Sequence, residues 1–242
     1  GLTIDYGPYG WLEDFDPNWT PNTTDAAHRR YRYGQQPAIA QWNLMQLANA
    51  ILPLINETKP LEQALSAFAH EYEKKWQQMM AAKLGLSKFE QPLVDELLSL
   101  LSAVETDMTM FYRLLADVDL ASDQPLHQLQ PAYYRSEQIT TEFAQRTGQW
   151  LQAYRQALTA QGVSESDRRA QMNAVNPKYV LRNYLAQLAI DDAEAGDYTL
   201  VNTLLDALRR PYDEQPEYDQ YAAMRPEWAR TRAGCSMLSC SS

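Results

Sequence analysis

The chain has 242 residues, 31 of them acidic and 21 basic, for a net charge of −10. That balance argues against a broad nucleic-acid surface, which needs basic patches, and its mean hydropathy of −0.51 is that of a water-facing globular protein. No apolar run reaches the roughly 18 residues of a membrane span, the start lacks a basic-then-apolar leader, and the two cysteines, Cys235 and Cys240, form no disulfide framework, so a cytoplasmic protein is expected.

The opening residues Gly1 to Gly10 predict a short strand, Leu2 to Ile4, which delivers Asp5 onto a turn built from Gly7, Pro8 and Gly10. An acid at a strand end followed by aromatic-glycine is the form in which kinase-fold enzymes present a magnesium ligand. Mg²⁺ takes hard oxygens, commonly one or two carboxylates with substrate phosphates. The same tripeptide also serves as a plain turn. Residues 11–36 then look irregular, with Pro17, Pro21 and the Asn22-Thr23-Thr24-Asp25 stretch. The basic cluster His28-Arg29-Arg30-Tyr31-Arg32 is short and is expected to be a solvated loop.

Helical periodicity starts at Pro37. Ile39, Trp42, Leu44, Leu47 and Ile51 share a face that ends near Pro53. Leu61, Leu65, Phe68, Tyr72, Trp76 and Met79 follow, with Pro60 suited to a first turn. Ser87 is expected to cap a third helix carrying Leu93, Leu97, Leu98, Leu101 and Val104, and Asp107 a fourth carrying Met110, Phe111, Leu114 and Leu115. Pro125 and Pro131 break the pattern over 119–135. Helices resume at about 137–160 and at 164–174, where Ser164 and Asp167 have capping-box spacing. Two more are expected, from Tyr179 to Ala195 and from Leu200 to Leu208. From Pro211 the tail is expected to run extended over the surface. The periodic aromatic and methionine side chains are assigned to the core.

Several chemistries lack their motifs. The nine glycines never form Gly-x-Gly-x-x-Gly or a Walker loop, and there is no His-Glu-x-x-His or Gly-x-Ser-x-Gly. His28, His70 and His127 are isolated and expected at the surface. Paired acids such as Glu71 with Glu73, or Asp191 with Asp192, suit solvated helix faces.

Five segments carry a resemblance: Gly1 to Gly10; Arg30 to Tyr33 with Gln36 to Leu44; Asn176 to Leu185; Pro211 to Tyr218; and the terminal Ser239-Cys240-Ser241-Ser242. In this order they resemble the C-terminal half of the selenoprotein-O-type family, whose bacterial members are called YdiU. The resemblance implies a mainly α chain: the helical C-lobe of a protein-kinase-like fold with a short N-terminal strand or hairpin. It implies one helical domain over 1–242, with a metal-motif turn and activation-type loop at 1–36 and a tail at 211–242. It also implies transfer of AMP from ATP to Ser, Thr or Tyr hydroxyls of proteins, with Mg²⁺ or Mn²⁺.

By that resemblance Asp5 is the metal- and ATP-binding acid, and the general base and second metal ligand are expected before Gly1. The glycine-rich loop, lysine and phosphate-binding arginines are expected there too. The chain is therefore expected to be inactive without an N-lobe, whose separate chain is one candidate partner beside ATP and protein substrates. In bacterial relatives the tail cysteine, here Cys240, can pair with a cysteine sixteen residues after the metal acid; that position is Pro21. Pairing of Cys235 with Cys240 remains an alternative. Two other readings stay open: a non-catalytic helical protein-binding module, and, with only the metal motif behind it, a true protein kinase.

Overall fold

The computed structural model describes residues 10–20 and 27–235. Asp5, Pro21, Cys240 and the strand expected at Leu2 to Ile4 lie outside these residues. The described chain is mainly helical. Its β pairing is confined, among the described residues, to two isolated antiparallel bridges, Asp14 with Asp107 and Thr106 with Tyr133.

Among the described residues eight α-helices follow one another: α1 (Gln36–Ile55), α2 (Lys59–Lys83), α3 (Gln91–Ala103), α4 (Met108–Asp117), α5 (Thr141–Ala160), α6 (Glu165–Val175), α7 (Asn183–Glu194) and α8 (Thr199–Arg209). Their ends follow local chemistry. Asp107 accepts the Met110 N–H at 2.9 Å and so caps α4. Thr140 caps α5 by accepting the Phe143 N–H, and Ser164 caps α6 by accepting the Asp167 N–H. Pro60 sits in the first turn of α2, where its missing N–H has no helical partner to lose. Asn56, in the left-handed region at φ 56°, closes α1 shortly after Pro53.

The main core joins α3, α4 and α5 with the C-terminal end of α2 and Met172 of α6. Trp150 and Tyr154 of α5 stack there at 5.2 Å; the Trp150 indole donates to Leu93 O and the Tyr154 hydroxyl to Leu84 O. A smaller core packs α7 and α8 with Ala229 and Cys235.

Three expectations need correction. Ser87 does not cap α3, which starts at Gln91; its hydroxyl donates instead to Gln161 Oε1. Tyr179 to Arg182 are not helical: Tyr179 is buried, its hydroxyl donates to Gln215 O, and α7 begins only at Asn183. The apolar stripe of α1 is not core. None of its residues is buried, because α1 packs chiefly on α2, and Trp42, Met45 and Leu47 remain exposed. Met79 of α2 is likewise exposed.

The segment after Pro211 is not uniformly extended. It forms two 3-10 helices, Pro216–Ala222 and Glu227–Arg230, each with a proline at its start. It is tied down by Gln215, whose buried amide donates to Ala207 O and Arg210 O at the end of α8. No helix among the described residues is long and apolar enough to cross a membrane.

Candidate functional site

The described chain starts five residues after Asp5, and its first stretch is held on both edges. The Trp11 N–H donates to Asn183 Oδ1 at 2.7 Å, while Asn183 Nδ2 donates to Trp11 O at 2.8 Å. One side-chain amide thus satisfies both backbone groups of Trp11, as a neighbouring strand would. The Met108 N–H donates to Glu13 O, and the Phe15 N–H to Thr106 O. On the far side of residues 105–108, the Asp107 N–H donates to Ala132 O and the Tyr134 N–H to Glu105 O. Residues 13–15, 105–108 and 132–134 therefore form a three-stretch ribbon, with Leu12 buried beside it.

Asp107 is the centre of this ribbon. Besides capping α4, its carboxylate takes Arg182 Nη1 at 2.6 Å, Arg182 Nη2 at 3.3 Å and the Tyr134 hydroxyl at 3.0 Å. Both ion-pair partners are fully buried. Burial pulls the Arg182 guanidinium toward neutrality, but Asp107, with smaller help from Tyr134 and Glu13, holds it above its ordinary value. Arg182 immediately precedes Asn183. Two consecutive residues at the start of α7 thus grip the ribbon and the strand-like segment that leads back toward Asp5.

A second arginine closes the other side. Arg225 reaches Glu13 and Asp14, each at 3.2 Å, and Glu105 at 2.9 Å. Arg230 and Arg135 also reach Glu105. The guanidinium carbons of Arg225 and Arg230 lie 5.1 and 5.3 Å from the Tyr134 ring centroid. Burial raises the Glu13 carboxyl above the ordinary value; Arg225 opposes that rise without cancelling it. The post-Pro211 segment therefore straps residues 13–14 onto the body.

This arrangement positions; it does not itself present free anion-binding cations. Arg182, Arg225 and Arg230 are all engaged by carboxylates. The basic cluster is exposed but also engaged: Arg29 donates to Asn18 O, Arg32 to Gln35 Oε1, and Arg30 stacks over Trp42 at 4.1 Å. Among the described residues, no three His, Cys, Asp or Glu side chains are grouped to hold a metal. Asp5 and Cys240, the two site residues expected from sequence, lie outside the described residues. Cys235 is buried against α7 and α8, and burial pushes its thiol up. Sequence reasoning gave no role to Arg182, Asn183, Glu13 or Arg225. The signal for the first two was their place in the Asn176 to Leu185 segment, but nothing local names partners 75 and 172 residues away.

The family described as "Protein adenylyltransferase SelO" matches residues 1–209. Three curated relatives carry the name "Protein nucleotidyltransferase YdiU". The one from Rhodopirellula baltica is 56% identical, covering all of this chain and 48% of the relative. Those from Azoarcus sp. and Flavobacterium johnsoniae are 54% and 50% identical, again over all of this chain and 47% of each relative. The chain spans about half the length of the curated relatives it matches. It belongs to the SelO protein adenylyltransferase family.

Proposed function

We propose that this chain supplies the C-terminal, metal-binding half of a protein adenylyltransferase with a kinase-like fold. The reaction joins a Ser, Thr or Tyr hydroxyl oxygen of a protein substrate to the α-phosphorus of ATP. Pyrophosphate leaves, and the hydroxyl proton passes to a base in the part of the protein before Gly1. Asp5 holds Mg²⁺ or Mn²⁺ with the nucleotide, and the metal, when bound, neutralises charge on the phosphates.

The observation that carries the reading is the anchoring of residues 11–15, which follow the Asp5-Tyr6-Gly7 sequence after three residues and lie inside the span that matches the family. A carboxylate that must meet a nucleotide to within a fraction of an ångström needs a fixed origin. The Trp11–Asn183 pair and the Asp107 ribbon fix the chain from Trp11 onward, six residues after Asp5 in the sequence. Their own part in catalysis is orientation, since none of these side chains is offered to a ligand.

The reading implies that the chain alone transfers nothing and that the remaining half completes the site. The test uses ATP labelled on the α- or the γ-phosphate, with Mg²⁺ or Mn²⁺, and the chain with and without the other half of the protein. Protein labelling from the α-label alone, only with both halves present, supports it. Labelling from the γ-label would make the chain part of a phosphotransferase. No labelling with both halves folded would leave a non-catalytic binding module.

A further inference from the structure

A broad groove of the described chain lies between the α1–α2 pair and the main core, with Phe15 and Met108 at the edge of the Asp107 ribbon in its wall. It encloses about 770 Å³ and is walled by Phe15, Tyr33, Phe68, Trp76, Met108 and Tyr112. Lys83, the last residue of α2, is the one charged residue in the lining described. Its Nζ donates to Asn176 Oδ1 at 2.7 Å and lies 4.3 Å from the Tyr112 ring centroid. Asn176 is buried and fixed in turn, because its Nδ2 donates to Lys83 O at 2.9 Å.

An ammonium group carries three donors and a full charge. Here one donor goes to a neutral amide and the ring face takes part of the field. No carboxylate among the described residues pairs with Lys83, although the protein as a whole is strongly acidic. Of the other buried or half-buried cations, Arg182, Arg225, Arg230 and Lys178 have carboxylate partners, and the buried Arg168 is held by two backbone carbonyls, Leu115 O and Val118 O, whereas Lys83 has a single neutral amide. Burial without a counter-charge lowers the Lys83 amine to about 8. A cation held at an apolar groove without its counter-ion is the complement of an apolar anion.

We infer that this groove is a binding site for a small apolar carboxylate, an alkyl or aryl acid, whose acid group pairs with Lys83 and whose body lies against Trp76, Phe68 and Tyr112. A polyphosphate does not suit it, since one cation and aromatic walls leave most of such a charge unpaired. The site does not depend on the nucleotidyl-transfer reading: it uses neither Asp5 nor the Trp11–Asn183 and Asp107–Arg182 pairs, and shares with the ribbon only the wall residues Phe15 and Met108.

The test is calorimetric titration of the 242-residue chain with dodecanoate below its micelle concentration, with dodecanol as the neutral control. The expected result is saturable dodecanoate binding, with dodecanol at least tenfold weaker. Lys83→Gln is expected to lose at least tenfold in dodecanoate affinity, and Lys83→Arg to recover to within about threefold of the parent. Met79→Glu, at an exposed groove position, tests the same charge rule without touching the core and is expected to weaken dodecanoate but not dodecanol. Equal binding of acid and alcohol, unchanged affinity in both Lys83→Gln and Met79→Glu, or no saturable binding would each overturn the assignment.

Discussion

Arg182 and Asp107 form a fully buried, two-pronged ion pair, with Nη1 2.6 Å from Oδ2, between the start of α7 and the cap of α4. The pair joins two regions 75 residues apart and places Asn183 beside Trp11. Removing one partner leaves a desolvated charge, which costs about 3–5 kcal/mol in comparable buried pairs. Arg182→Met and Asp107→Asn are each expected to destabilise by an amount in that range, while the double variant should lose less than the sum. Denaturant titrations arranged as a double-mutant cycle measure it. Additive losses would show that the two groups do not act as a pair.

Asn183 tests the anchor more locally. Asn183→Ala removes both hydrogen bonds to Trp11 and is expected to cost about 1–3 kcal/mol. It should also release the Trp11 amide, read as a large gain in its hydrogen-exchange rate. Asn183→Asp keeps the acceptor for the Trp11 N–H and should protect that amide more than Asn183→Ala does. Unchanged exchange in the alanine variant would remove Asn183 from the anchor.

Gly85 follows the end of α2 at φ +63°, and a Cβ there would meet Arg168 Cγ at 2.9 Å and Met172 Cγ at 3.1 Å. Arg168 cannot retreat freely, since its guanidinium donates to Leu115 O and Val118 O. Gly196, at φ +90°, has open space where a Cβ would stand, with nothing within 4 Å. Gly85→Ala should therefore cost more than the roughly 1–2 kcal/mol of left-handed strain that Gly196→Ala incurs. Thermal melts of the two variants compare them directly, and equal losses would refute the packing argument.

Lys83 gives a signed pH dependence. Its amine titrates at an ordinary 10.5 when unfolded and at about 8 when folded. Between those values the unfolded chain binds the proton that the folded chain has released, so the contribution to stability rises with pH across the window. Tyr33 and Tyr112 line the same groove, and burial raises both phenols, so their opposite effect enters only at the alkaline end. Relative to Lys83→Met, the parent should gain about 1–2 kcal/mol between about pH 7.5 and pH 9.5. A gap that stays constant with pH would mean that the amine is not depressed.

Much of the helical order was legible. Periodic apolar positions locate α2 to α6 and α8, and the side-chain oxygens of Asp107 and Ser164 mark their helix starts. Ser87 misled because a serine before a helical run is as able to bond across space as to cap, and here Gln161 claims it. The stripe of α1 misled for another reason: periodicity reports which residues share a face, not what covers that face. Tyr179 to Arg182 carry helical spacing, but the buried Tyr179 hydroxyl and Arg182 guanidinium are committed to Gln215 and Asp107. Those tertiary bonds outweigh local propensity. The family was legible from ordered segments. The anchor at Trp11 was not, because each of its bonds closes a loop of many residues and has no local spacing to betray it.

The most direct measurement is AMP transfer by the full-length protein containing this chain, using ATP labelled on the α-phosphate with Mg²⁺ or Mn²⁺, before and after Asp5→Ala. The account predicts labelled protein from the parent and a loss of at least about a hundredfold in the variant, with the fold retained. Transfer that survives Asp5→Ala at the parental rate would contradict the assignment of the metal- and nucleotide-binding acid to this chain.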